Sequence, residues 1–124
     1  MHQLKNSEHI IPWTEELLIG RGVAHEAFVE NENLSREHAK IFEKENHVVL
    51  EDLNSVNGTY LNGMKIVPGK IYILKDADTV KFADIELDVV LGKQKLTLNQ
   101  EAKRKKKIRM ILVAVIAILI ILYL

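Results

Sequence analysis

The chain has 124 residues, of which 48 % are hydrophobic, and it has no cysteine. There is room for one domain and little else, and disulfides, thiolate metal sites and thiol nucleophiles are excluded. The zero net charge hides two blocks: residues 1–100 carry 11 Lys/Arg against 16 Asp/Glu, while residues 101–124 carry six Lys/Arg against Glu101 alone. A net −5 globule followed by a net +5 stalk is a poor candidate for broad nucleic-acid binding, because the cations lie outside the fold.

In chain order, Met1 to Glu8 is polar and lacks the apolar stretch of a secretory signal. Glu16-Leu17-Leu18-Ile19 predicts a strand that ends in the glycine-flanked turn Gly20-Arg21-Gly22. Ala39 to Glu43 and His47 to Leu53 predict two further strands, split by Lys44-Glu45-Asn46. Asn57-Gly58 and Asn62-Gly63 each offer the positive φ angles that tight hairpins need, with Thr59-Tyr60-Leu61 between them. Ile71 to Leu74 precedes a turn at Asp76-Ala77-Asp78. Then Ile85, Leu87, Val89 and Leu91 alternate with Glu86 and Asp88, the period-two pattern of a half-buried strand. Strands recur about every ten residues with no amphipathic helix between them, which is the pattern of an all-β sandwich or barrel.

The expected organisation is a β-sandwich over 1–94, a polar then polybasic linker over 95–107, and an apolar helix over 108–124. Seventeen residues make a helix of about 25 Å, near the lower limit for crossing a hydrocarbon core. A helix buried in a protein core would show some polar face, and Met110 to Leu124 has none, so a transmembrane helix is the expectation. The basic run Lys103 to Lys107 just before it predicts, by the positive-inside rule, a tail-anchored, single-pass protein whose β domain faces the cytoplasm. The same lysines are placed to meet anionic headgroups.

Four short elements carry the functional signal: Ile19-Gly20-Arg21, Leu34-Ser35-Arg36-Glu37-His38, Asp52-Leu53-Asn54-Ser55-Val56-Asn57-Gly58-Thr59, and Leu61-Asn62-Gly63. Turns at strand ends of a rigid sandwich can converge on one edge. An Arg there offers a planar fork of donors to phosphate oxygens, and a Ser hydroxyl with exposed backbone N–H groups completes an anion pocket. An Asn, both donor and acceptor, can pair with a peptide main chain. In this order and spacing the elements resemble the forkhead-associated (FHA) domain family, across Leu18 to about Val89.

The resemblance implies an FHA-type sandwich that binds phosphothreonine peptides. Arg21 and Ser35 would contact the phosphate, and Arg36 would add a phosphate or peptide contact. Asn57, with Val56 beside it, would meet the peptide. Gly20, Gly58, Thr59, Asn62 and Gly63 would shape the turns, and His38 would buttress the loop that presents Ser35. Two departures stand out: Val56 replaces the usual Thr or Ser, and Ala77 replaces a usual Gly. Loss of the hydroxyl at 56 costs a charge-assisted hydrogen bond of roughly 1.5–3 kcal/mol unless something compensates.

The expected function is therefore a membrane-anchored phosphothreonine reader in signalling, with a partner such as a Ser/Thr kinase or its substrate. The alternative is a structural FHA-like subunit of a membrane machine, such as a bacterial secretion system, that reads no phosphate. Catalysis is not expected. No nucleophile has a base arranged beside it, and the five histidines show no metal-ligand spacing, so neither metal nor cofactor is anticipated.

Overall fold

The computed structural model describes residues 1–23, 25, 27–92 and 98–123. The chain divides into two compact units, Met1–Lys93 and Gln94–Leu124. Among the described residues the first unit contains ten strands: β1 (His2–Lys5), β2 (Ile10–Trp13), β3 (Glu16–Ile19), β4 (Ala39–Lys44), β5 (His47–Asp52), β6 (Thr59–Leu61), β7 (Met64–Lys65), β8 (Ile71–Ile73), β9 (Thr79–Phe82) and β10 (Ile85–Val90). They form a six-stranded sheet, β2-β1-β10-β9-β6-β7, and a four-stranded sheet, β3-β4-β5-β8. All pairings are antiparallel.

The core follows from strand alternation. Leu87 and Val89 are buried on β10 while Glu86 and Asp88 are exposed, as the period-two pattern predicts. Leu4, Ile11, Val80 and Phe82 from the larger sheet join Ile19, Ile41, Val48 and Leu50 from the smaller in one cluster. Register brings inward residues side by side: Ile41 pairs with Leu50, and Leu87 with Val80. Phe28 and Leu34, from the connection between β3 and β4, are 0 % and 1 % exposed and belong to the same cluster. That long connection is therefore pinned at two points to the sandwich interior, at about 1.5–3 kcal/mol of transfer free energy for each buried side chain.

β1, β2, β7 and β9 were not foreseen from the sequence. β2 contains Pro12, which has no N–H for a ladder, and it lies on the sheet edge, where that is tolerated.

Among the described residues the second unit is one α-helix, α1 (Leu98–Tyr123). The expected linker over 95–107 is corrected in part, since the basic run belongs to this helix; Ala102, Lys103, Arg104 and Lys105 are all strong helix formers. Lys93 to Thr97 lie outside the described residues.

The expected transmembrane helix over 108–124 is corrected too: among the described residues no helix is long and apolar enough to cross a membrane. All six Lys/Arg of α1 fall at or before Arg109, leaving an uncharged segment from Met110 to Tyr123. Those fourteen residues rise about 21 Å, short of a hydrocarbon core of about 30 Å.

Candidate functional site

The site is built where the connection from β3 to β4 passes the loop between β5 and β6. Arg21 N–H donates to the Ser35 carbonyl at 3.0 Å, and Gly22 N–H to the Arg36 carbonyl at 3.1 Å. These two bonds place both ends of the β3–β4 connection side by side. Gly20 permits the approach. A Cβ there would collide with the Arg36 carbonyl oxygen and stand 2.7 Å from its carbon, a contact real side chains do not make. Arg21, Gly22, Val29 and Arg36 line one pocket of about 360 Å³. Both arginines are exposed, and among the described residues neither guanidinium makes an ion pair or a hydrogen bond. Two guanidiniums lining one concavity concentrate positive charge there on an otherwise acidic unit.

Ser35 sits between this pocket and the next loop. Its Oγ accepts the Val56 N–H at 2.9 Å, so its own hydrogen remains available to donate outward. Val56 itself is 85 % exposed. Its backbone ties the β5–β6 loop to Ser35, while its side chain is open to solvent. Asn57, also exposed, donates Nδ2–H to the Asn33 carbonyl at 2.7 Å, which joins the same two loops a second time.

Beneath the loops lie two buried polar nodes. His38 is fully buried; Nδ1 accepts the Ser35 N–H at 3.2 Å and Nε2 faces the Gly58 carbonyl at 2.9 Å. Since Nδ1 faces an N–H, the proton is assigned to Nε2, which donates to Gly58. The ring meets Phe82 edge-on, with centroids 6.1 Å apart. One imidazole thus bonds to both the Ser35 loop and the Asn57 loop.

Asp52, 2 % exposed, is the second node. It accepts hydrogens from Ser55 Oγ at 2.5 Å, Thr59 Oγ1 at 2.6 Å and Ser55 N at 3.1 Å, and Ser55 Oγ in turn accepts Gly58 N–H at 3.1 Å. A buried carboxylate with three donors is fully satisfied, and it sets the shape of the loop that carries Val56 and Asn57.

The remaining turn residues divide. Gly58 has φ +85°, but Asn57 does not share its positive φ, so of the first Asn-Gly pair only the glycine takes the left-handed geometry. Asn62 and Gly63 both do, at 49° and 83°. Asn62 bonds to Asp78 and Thr79, so this turn braces β6 against β9 and does not join the pocket.

Sequence reasoning missed Asp52, Ser55, Asn31, Asn33 and Asp84. Asp52 and Ser55 were discoverable, because an Asp with a Ser three residues on is the spacing of a side-chain-capped turn. Asp84 lies in the turn between β9 and β10, where its Oδ1 accepts Asn31 Nδ2–H at 2.8 Å and its Oδ2 accepts Asn33 Nδ2–H at 3.2 Å. The Asn31 bond, then that from Asn33 and the nearby Lys81 charge, holds its carboxyl below the ordinary value of 3.8.

An FHA-domain family model matches residues 17–83, more than half of the chain. The FHA domain in a study of phosphothreonine-dependent FHA interactions is 26 % identical with a TM-score of 0.61, and the match covers 74 % of this chain and 95 % of that one. The MEK1 FHA domain in complex with a phosphothreonine peptide of HOP1 is also 26 % identical with a TM-score of 0.61, covering 74 % and 97 %. The FhaA FHA domain, complexed with the intracellular domain of Rv3910, is 29 % identical with a TM-score of 0.58, covering 71 % and 96 %. No curated protein matches the sequence. With the family match over residues 17–83, the two-sheet sandwich and these structural likenesses together, the chain belongs to the FHA-domain family.

Proposed function

We propose that the β unit binds phosphothreonine within an extended segment of a partner protein, such as a Ser/Thr kinase or its substrate. The observation that carries this is that Arg21 and Arg36, which have no ion pair among the described residues, line one pocket, with the Ser35 backbone bonded to Arg21 N–H. In this reading Arg21 and Ser35 hold phosphate oxygens, Arg36 adds charge, and Asn57 grips the main chain. FHA homologues that bind phosphothreonine peptides support it. The test is fluorescence anisotropy with matched phosphorylated and unphosphorylated threonine peptides on the full chain. Arg21→Ala is expected to weaken phosphopeptide binding about ten- to hundredfold, from roughly 1.5–3 kcal/mol per charge-assisted bond. Equal binding of both peptide forms would refute the reading.

One observation favours the alternative of a scaffold that reads no phosphate: Val56 is 85 % exposed and carries no hydroxyl. If Val56→Thr raises phosphopeptide affinity, the pocket is a working reader with one bond missing. If neither version binds any phosphopeptide in a diverse library, the scaffold reading stands.

For the second unit the reading is attachment to an anionic membrane face that leaves the β unit in the cytoplasm. Exposed apolar residues from Met110 to Tyr123 beside the cations Lys103 to Lys107 support it. Sedimentation with vesicles containing phosphatidylserine, compared with neutral vesicles, tests it; no preference for the anionic vesicles would refute it.

A further inference from the structure

Asn57 is the residue through which the proposed function grips a peptide main chain, and its amide already has a partner. Nδ2–H is bonded to the Asn33 carbonyl at 2.7 Å. An amide whose NH₂ end is fixed in this way presents its Oδ1 as the free acceptor. Asn33 is held in turn: its N–H donates to Asn31 Oδ1 at 2.9 Å, and its Nδ2–H to Asp84 Oδ2 at 3.2 Å. Asn31 Nδ2–H takes the other Asp84 oxygen at 2.8 Å. The turn carrying Asp84 is also docked on the residue after Asn57, because Ala83 N–H donates to the Gly58 carbonyl at 3.1 Å.

From this relay we propose that Asp84 is a positioning residue for peptide recognition. Its carboxylate forks across Asn31 and Asn33, fixes the Asn33 carbonyl, and so orients Asn57 Oδ1 to accept a main-chain N–H of the ligand beyond the phosphorylated residue. The inference rests on the phosphothreonine reading and deepens it. Asp84 touches neither Arg21, Arg36 nor Ser35 among the described contacts, so its effect falls on the peptide grip and not on the phosphate. The carboxylate is exposed, and both hydrogen bonds it accepts lie at the surface.

Two ligands separate the roles: a phosphothreonine peptide with several residues after the phosphate, and N-acetyl-phosphothreonine methyl ester, which has no main-chain N–H beyond the phosphorylated residue. With the full chain, Asp84→Ala is expected to weaken the peptide about five- to tenfold, the effect of one neutral hydrogen bond, and to leave the ester within about twofold. In an Asn57→Ala background Asp84→Ala should become silent toward the peptide, which gives a coupling between the two sites. Equal weakening of both ligands, or additivity with Asn57→Ala, would overturn the relay and make Asp84 a general brace of the loop. Unchanged peptide affinity in Asp84→Ala would overturn the relay alone. Failure of the unsubstituted chain to bind either ligand would instead remove the phosphothreonine reading, and the relay with it.

Discussion

Substitution of His38 by Ala should cost the protein a large share of its stability. The ring is fully buried and bonds two loops. Its removal leaves the part-buried Ser35 N–H, whose acceptor was Nδ1, without that partner, at about 1–3 kcal/mol. The Gly58 carbonyl loses less, about 0.5–1.5 kcal/mol, because it still accepts from Ala83 N–H at 3.1 Å. The void beside Phe82 adds about 1 kcal/mol. The total is roughly 3–5 kcal/mol, against a whole-domain stability of about 5–15 kcal/mol. Trp13 is the single tryptophan and is 5 % exposed, so its fluorescence reports unfolding of the β unit directly. With a urea dependence of about 1–1.5 kcal/mol per molar for a domain of this size, the midpoint should fall by about 2–5 M. A fall below about 0.5 M would refute the reasoning, since the two loops would then be held by something other than the imidazole.

Gly20→Ala should abolish phosphopeptide binding and lower the urea midpoint, because the new methyl group strikes the Arg36 carbonyl and forces apart the strand ends that bring Arg21 to Ser35. Affinity retained within about twofold in an anisotropy titration would contradict that. Ala77 holds φ 69°, a left-handed angle unfavourable to any residue with a Cβ, so Ala77→Gly should stabilise by about 0.5–1 kcal/mol with no change in binding. Urea titration of the pair checks the sign. Phosphopeptide affinity should fall as pH drops from about 7 to 5, because the ligand phosphate takes up its second proton near pH 6. Asp84 adds no inflection in that window. Its hydrogen bonds from Asn31 and Asn33 put its folded value below 3.8, so its contribution is complete above 3.8 and is lost only as pH falls through the lower folded value. Carbon NMR titration of the Asp84 carboxyl checks this, and a midpoint above 3.8 would contradict it.

The strands carried by apolar runs or alternation were legible: Ile85 to Leu91, Ala39 to Glu43 and His47 to Leu53 lie within one residue of β10, β4 and β5 at each end. β1 was not, because His2-Gln3-Leu4-Lys5 buries one aliphatic residue and one histidine, which reads as a polar segment. His2 earns its buried place only through partners far away in sequence, Glu43 at 3.2 Å and Gly92 N–H at 3.0 Å. The site divides in the same way. Arg21, Ser35, Arg36, Asn57 and His38 sit in motifs whose order and spacing carry a family pattern; Arg21 and Arg36 line one pocket, and His38 lies buried beneath the loops of Ser35 and Asn57. Asp84 reaches Asn31 and Asn33 across 53 and 51 residues, with nothing local to mark it. The helix boundary is hidden for another reason: the charge of the basic run suggests a linker, although lysine and arginine favour helix as strongly as most apolar residues.

The construction of the rim explains how a site on loops can be preorganised. None of the residues proposed to meet ligand is buried, yet each is one or two bonds from a group that is. Ser35 hangs from His38 through its N–H, and Asn57 lies between Asp52's turn and Gly58, which His38 also holds. Phe28 and Leu34 anchor the rest of the β3–β4 connection in the core. Ordering entropy for these loops is thereby met at folding, so a ligand need not supply it on binding. Loss of the hydroxyl at position 56 then removes one bond from a pocket whose shape is set elsewhere: Val56 contributes its backbone N–H to Ser35, which a Thr would do equally well. A site built in this way can lose a direct contact and keep its geometry, whereas loss of a buried node such as His38 would release several contacts at once.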